Sequence, residues 1–351
     1  MAKVFDYSFL WNGSIPARVV QLALAVQALK SVSAVRPERY AGLYGELEKI
    51  SHVQSVKSSN ELEGIVTTDA RLHAIVTQGS APLDHAEQEI AGYRDALARI
   101  HREYADLPPS EDTVLLLHIM MGRFTANPAV GRYKRENNLI VELDTARRRR
   151  VRHYPSSAAD TPRDMEQMFL AYLDAAARVG ENMLLLIPCL VLDFLCIHPF
   201  EDGNGRVSRL LSLLMLFRAG FDAGRFISLE AQISNRRDAY YRALQASSRG
   251  WRENAHDYFP FVEEFLTTLL LCYRELDKRF AITRAGKVNK AQRIQAAVLN
   301  SPLPVSKAEL CALLPDISPT TVEAVLGKLV RSGAILRQGS PRSARYAKKA
   351  R

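Results

Sequence analysis

The 351-residue chain has only four cysteines, Cys189, Cys196, Cys272 and Cys311, and their spacing suits no metal site. With no secretory segment to place them in an oxidising compartment, they read as reduced core thiols. The N-terminal stretch MAKVFDYSFLWNG lacks the pattern of a signal peptide. No run is fit to span a bilayer, since the most apolar stretch, 183–200, is short and interrupted by Pro188 and Asp193. These absences predict a cytoplasmic protein without a membrane partner. Net positive charge is also missing from most of the chain. Residues 286–351 hold 12 Lys and Arg against 3 Asp and Glu, which equals the formal +9 of the whole, so the remainder is neutral overall. What is present is ordinary for a folded protein: 47% hydrophobic and 24% charged residues, with length enough for two or three domains.

One stretch concentrates chemistry: His198-Pro199-Phe200-Glu201-Asp202-Gly203-Asn204-Gly205-Arg206-Val207-Ser208-Arg209, set between the apolar runs 183–197 and 210–217. Pro199 disfavours helix at His198, so the first run ends there. Gly203 and Gly205 allow a tight turn and close backbone approach to a ligand. A second helix from Gly205 onward offers unpaired N–H groups and a positive dipole end, an anion site. Arg206 and Arg209 share a face of that helix and can fork phosphate oxygens. Asp202 is a hard oxygen ligand suited to a Mg²⁺ that also touches phosphates. His198 can take a proton near neutral pH. A base, a metal ligand and a phosphate cradle together describe phosphoryl or nucleotidyl transfer.

These residues resemble the Fic-family signature HPFxDGNGRxxR, with every fixed position filled. The resemblance implies a mainly α fold: a Fic helical core with a short β-hairpin flap. It implies an enzyme that moves AMP from ATP to a Ser, Thr or Tyr hydroxyl of a target protein, with Mg²⁺ as cofactor. By residue, His198 would deprotonate the hydroxyl and Asp202 would hold Mg²⁺. Gly203, Asn204 and Gly205 would form the anion hole, with Arg206 on the α/β phosphates and Arg209 on the γ-phosphate. Upstream, in Ser58-Ser59-Asn60-Glu61-Leu62-Glu63-Gly64-Ile65, Ser59 and Glu63 are four apart and share a helix face, and Gly64 can end that helix. The segment resembles the family's inhibitory motif, in which the glutamate pairs with the second arginine of the signature. Here that is Glu63 against Arg209, within one chain.

The rest of the chain is read in order. Helices are expected over 17–29, from Pro37 to about Ser59, over 84–103, and over 113–124 with Leu115, Leu116, Ile119 and Met120 facing inward. His118 on the last of these reads as a core histidine. Two β-prone runs across 139–154 predict a hairpin turning at Asp144-Thr145-Ala146. The resemblance makes it the flap that holds a target's extended segment. It carries Arg147-Arg148-Arg149-Arg150, a solvated strand or an attraction for an acidic target surface. Helices follow over 161–179, 183–197, 237–247 and 256–283. Asn235 is the candidate for adenine contact, and Tyr241 or Tyr240 for the wall of the same pocket. Beyond a linker at 284–289, helices at 291–299, 306–314 and 318–333 and two strands at 334–336 and 344–346 look like a winged helix-turn-helix. Its charge suits DNA phosphates, yet base-reading residues are scarce on 318–333, so a protein partner stays open. The division is 1–110, a helical region with the inhibitory helix; 111–283, the catalytic core; and 284–351, the winged unit. A homodimer is plausible for the family. The alternatives are removal of AMP from targets, transfer of another nucleotide, and a DNA-binding regulator that uses the core as a nucleotide sensor.

Overall fold

A computed structural model describes residues 3–34, 41–143, 149–180, 183–284, 290–299, 301, 304–314, 317–340 and 344–348. The fold is mainly helical. Helix α8 (Met183–Ile197) runs through its centre, and every residue from Leu184 to Ile197 is buried. A helix apolar on all sides has no face to give to water. Pro188 and Asp193, the residues that interrupt the run in sequence, do not interrupt the helix. Asp193 is buried because three donors meet it: Tyr7 Oη at 2.8 Å, Tyr258 Oη at 2.8 Å and Trp251 Nε1 at 2.6 Å. Packed around α8 are α7 (Thr161–Val179), α9 (Asn204–Arg218), α12 (Arg237–Ser248) and α13 (Phe259–Arg284). Helix α13 starts at Phe259 rather than 256, where the Asp257 side chain accepts from the Phe259 N–H at 2.9 Å. Helix α2 (Ala17–Ala34), five residues longer at its end than 17–29, lies along α13.

Helix α3 (Ala41–Leu62) lies across α5 (His85–Glu103), α10 (Ala223–Phe226) and α11 (Leu229–Asn235). The expected start at Pro37 falls outside the described residues, and the helix runs on past Ser59. Beside buried Leu47, Val53 and Val56, its inward side carries a stripe of serines at helical spacing, Ser51, Ser55 and Ser59, all buried. Ser51 Oγ reaches the Gly224 carbonyl at 3.4 Å, and Ser55 Oγ donates to the buried Glu230 at 2.6 Å. Glu230 also accepts from Tyr93 Oη and Ser228 Oγ.

Helix α6 (Glu111–Gly122) is capped by Ser110, starts two residues before the expected 113, and turns a different face inward. Val114, Leu117, His118 and Met121 are buried, whereas Ile119 is 47% exposed and Leu115, Leu116 and Met120 are half-buried. The helix is apolar around most of its girth, so periodicity does not choose a face; α5 and α9 do. Strand β1 (Ile140–Leu143) pairs antiparallel with β2 (Arg149–His153), Val141 opposite Val151. The expected turn at 144–146 and Arg147 and Arg148 lie outside the described residues.

The C-terminal unit contains α14 (Lys290–Leu299), β3 (Val305–Ser306), α15 (Lys307–Leu313), α16 (Pro319–Arg331), β4 (Leu336–Gln338) and β5 (Arg345–Ala347). Ser306 and Glu309 form a reciprocal capping box on α15. The strands form one antiparallel sheet in the order β3-β5-β4. Sequence reading missed β3, which is two residues long, and set β4 two residues early, because Ile335 is buried as a core plug. Helix α15 packs on α3, and Arg345 Nη2 meets His73 Nε2 of α4 (Asp69–Gln78) at 2.9 Å. No helix among the described residues is long and apolar enough to cross a membrane.

Candidate active site

The signature loop joins α8 to α9. His198 takes φ +52°, the left-handed region that a side chain adopts only when its surroundings enforce it. The enforcement is visible. Lys134 Nζ donates to the carbonyls of Ile197 at 3.0 Å and His198 at 2.9 Å, and its backbone N–H donates to the Pro199 carbonyl at 2.8 Å. The Asn204 side chain grips Phe200 on both sides, accepting from its N–H at 2.9 Å and donating to its carbonyl at 2.8 Å. Phe200 itself is buried and stacked on His118, centroids 3.8 Å apart.

Gly203, at φ +80°, precedes the first residue of α9 and leaves that helix without a side-chain cap. The first-turn N–H groups are therefore on offer to a ligand. The Asn204 side chain is spent on Phe200, so of the expected anion-hole residues it can contribute only its backbone. At Gly205 a Cβ would run into Glu63 Oε1, so that carboxylate lies directly over the start of α9. Arg206 is 3% exposed, with Nη2 3.3 Å from Glu89 Oε1 and 3.2 Å from Asp202 Oδ2. Its Nε is buried without a partner. Arg209 is also buried: Nε donates to Ser59 Oγ at 2.8 Å, and Nη2 to the Ser59 carbonyl at 2.9 Å and to Glu63 Oε1 at 2.7 Å. Glu63 does not share the helix of Ser59; it sits in the turn just past Leu62.

Burial pushes His198 down to about 4, helped by the Lys134 and His153 charges and opposed by Glu63 and a hydrogen bond to the Leu195 backbone. The imidazole is thus neutral at pH 7, and its Nδ1 is buried without a partner. His118 is a core histidine, as expected, but it also lines the recess that holds Asp202, Gly203 and Arg206. Asp202 itself is open, its side chain 73% exposed.

The adenine candidates are less gathered. Asn235 is exposed at the end of α11. Tyr241 is half-buried, and Arg152 of the hairpin ties to it twice, donating to its carbonyl at 2.7 Å and lying over its ring at 5.1 Å. Tyr240 packs edge-on to Tyr241. Sequence reasoning missed Lys134, Glu89, Asn138 and Arg152. Lys134, 3% exposed, stands in a polar approach to the hairpin and gives no sign of burial in sequence. Glu89 has a weak sign, a half-buried carboxylate four residues before the buried Tyr93 on an amphipathic helix.

The Fic/DOC family matches residues 108–216. The protein adenylyltransferase Fic of Nematostella vectensis is 27% identical over 226 residues, 61% of this chain and 46% of that relative. That of Aedes aegypti is 42% identical over 66 residues, 19% of this chain and 11% of that one. The matched region is thus less than half the length of either curated relative. Among solved structures, a Fic family protein from Desulfovibrio desulfuricans superposes with TM-score 0.61 at 21% identity, covering 96% of this chain and 98% of that one. Fic-1 from C. elegans gives 0.56 at 18% identity, covering 74% and 71%. These two likenesses are of fold. The filled signature, the family match and the shared helical fold lead to one statement: the chain carries a Fic domain of the Fic/DOC family over residues 108–216.

Proposed function

We propose that the chain is a protein adenylyltransferase that moves AMP from ATP to a Ser, Thr or Tyr hydroxyl of a target protein and is restrained by its own Glu63. The observation that carries this reading is a neutral, half-buried His198 set in the same loop as an uncapped helix start and two buried arginines. In the reaction, His198 accepts the hydroxyl proton and the oxygen attacks the α-phosphorus. The bond from that phosphorus to the bridging oxygen breaks, and pyrophosphate leaves. Arg206, with its unpartnered Nε, and the first-turn N–H groups of α9 receive the negative charge. Arg209 takes the γ-phosphate.

Asp202 fits a Mg²⁺ ion. No cluster of three or more ligating side chains exists among the described residues, so a bound ion would keep waters and take its other ligands from the phosphates, as Mg²⁺ commonly does. When bound, it would neutralise phosphate charge. Glu63 supports the restraint: its carboxylate holds Arg209 and covers Gly205, so a triphosphate reaching Arg209 must displace it. The hairpin edge would take the target's extended segment by strand pairing. The basic C-terminal unit is the proposed site for DNA or a protein partner.

The test is transfer from ATP labelled at the α or the γ position. The reading predicts protein-bound label from α-labelled ATP only, absent in His198→Ala. Label from the γ position would replace adenylyl transfer with phosphoryl transfer.

A further inference from the structure

We infer that Lys134 is a positioning residue for His198: its buried ammonium clamps the base-bearing loop from beneath and fixes where the imidazole points. This deepens the proposed reaction and rests on it for the role of His198.

An ammonium has three N–H donors. Those of Lys134 meet three acceptors, the carbonyls of Ile197 and His198 and Asn138 Oδ1, the last at 2.9 Å. Its backbone N–H takes the Pro199 carbonyl. One residue therefore binds three consecutive carbonyls around the strained His198. Asn138 extends the grip, donating to the Phe200 carbonyl at 3.3 Å. The acceptors lie at the C-terminal end of α8, where carbonyls lack helical partners and a cation is favoured. Lys134 is 3% exposed, and its charge is answered by carbonyl dipoles and an amide oxygen. Burying a cation in this way is costly, and an apolar side chain would fill the space at less cost. What an apolar side chain would not do is hold His198 at φ +52°.

The same placement acts on protonation. Around His198 stand Lys134, His153 and Glu63; around Lys134 stand Arg252 and Asp164. Burial brings Lys134 down to about 8, so above that pH it loses a proton and one of its three donors. The clamp then loosens, and activity declines on the alkaline side.

The experiment compares Lys134→Met and Lys134→Arg with the full-length parent, reading transfer rate against pH and the His198 imidazole titration by NMR. In Lys134→Met, transfer falls on the order of 10²-fold with little change in KM for ATP, and His198 titrates at a higher pH than in the parent. Lys134→Arg restores most of the rate and abolishes the alkaline decline, because a guanidinium stays charged there. A folded Lys134→Met with parental rate and parental His198 titration overturns the inference. Should Lys134→Met fail to fold, an unchanged alkaline decline in Lys134→Arg overturns it instead. The titration needs no turnover. If it shifts while no protein transfers label, the clamp stands and the transferase reading falls.

Discussion

Arg209 is buried, and a buried guanidinium must be answered by acceptors. In the free protein Ser59 and Glu63 supply them; in the proposed reaction the γ-phosphate replaces Glu63. In a Glu63→Gly background, Arg209→Ala is therefore expected to raise the Kd for ATP about 10- to 100-fold, from loss of a charge-assisted hydrogen bond. ADP, lacking the γ-phosphate, should lose less. Equal losses for ATP and ADP by calorimetry would remove Arg209 from the γ-phosphate. These residues were legible in sequence because the signature is contiguous and Glu63 stands at a recognisable spacing from Ser59. Lys134 was not, because its partners are backbone carbonyls more than sixty residues away, which leave no side-chain pattern.

At the scale of the element, α3 leads to Glu63 and so positions the proposed restraint, and part of its seat is polar. The stripe of Ser51, Ser55 and Ser59 sits over the backbone of Gly224, the Glu230 carboxylate and Arg209. Polar contacts of this kind set register more sharply than apolar ones, since a displaced helix leaves buried groups unpaired. Ser55→Ala removes the 2.6 Å donor to Glu230 and is expected to cost about 1–3 kcal/mol of stability. Denaturant unfolding would measure it, and a loss near zero would mean that Glu230 is satisfied without Ser55. Helix lengths such as 161–179 and 183–197 were legible because a first-turn proline, Pro162, and an apolar run mark them. The inward face of α6 was not, because an all-round apolar helix is oriented by its neighbours. Strand β3 escaped because two residues are too short for a periodicity.

For the whole molecule, several half-buried histidines are held in their neutral form. His52, His198 and His256 are each brought down to about 4, chiefly by burial. Their unfolded value is about 6.5. Between these limits the unfolded chain binds more protons than the folded one, so stability is complete above about pH 6.5 and falls as pH drops toward 4. The thermal midpoint should decline across that window and be flat from pH 6.5 to 7.5. A midpoint unchanged down to pH 4 would mean that these imidazoles are protonated in the folded state. The basic C-terminal unit meets this body at α15 on α3, α14 on α13 and Arg345 on His73, so the proposed partner would dock beside the helix that leads to Glu63.

Glu63 is proposed to hold back an adenylyl transfer for which His198 is the base. The most direct measurement is the rate of protein labelling from α-labelled ATP with Mg²⁺ in wild type, Glu63→Gly and Glu63→Gly/His198→Ala. The account predicts weak labelling in the first, strong labelling in the second and none in the third. Equal labelling in wild type and Glu63→Gly would contradict the restraint, and persistent labelling without His198 would contradict the chemistry.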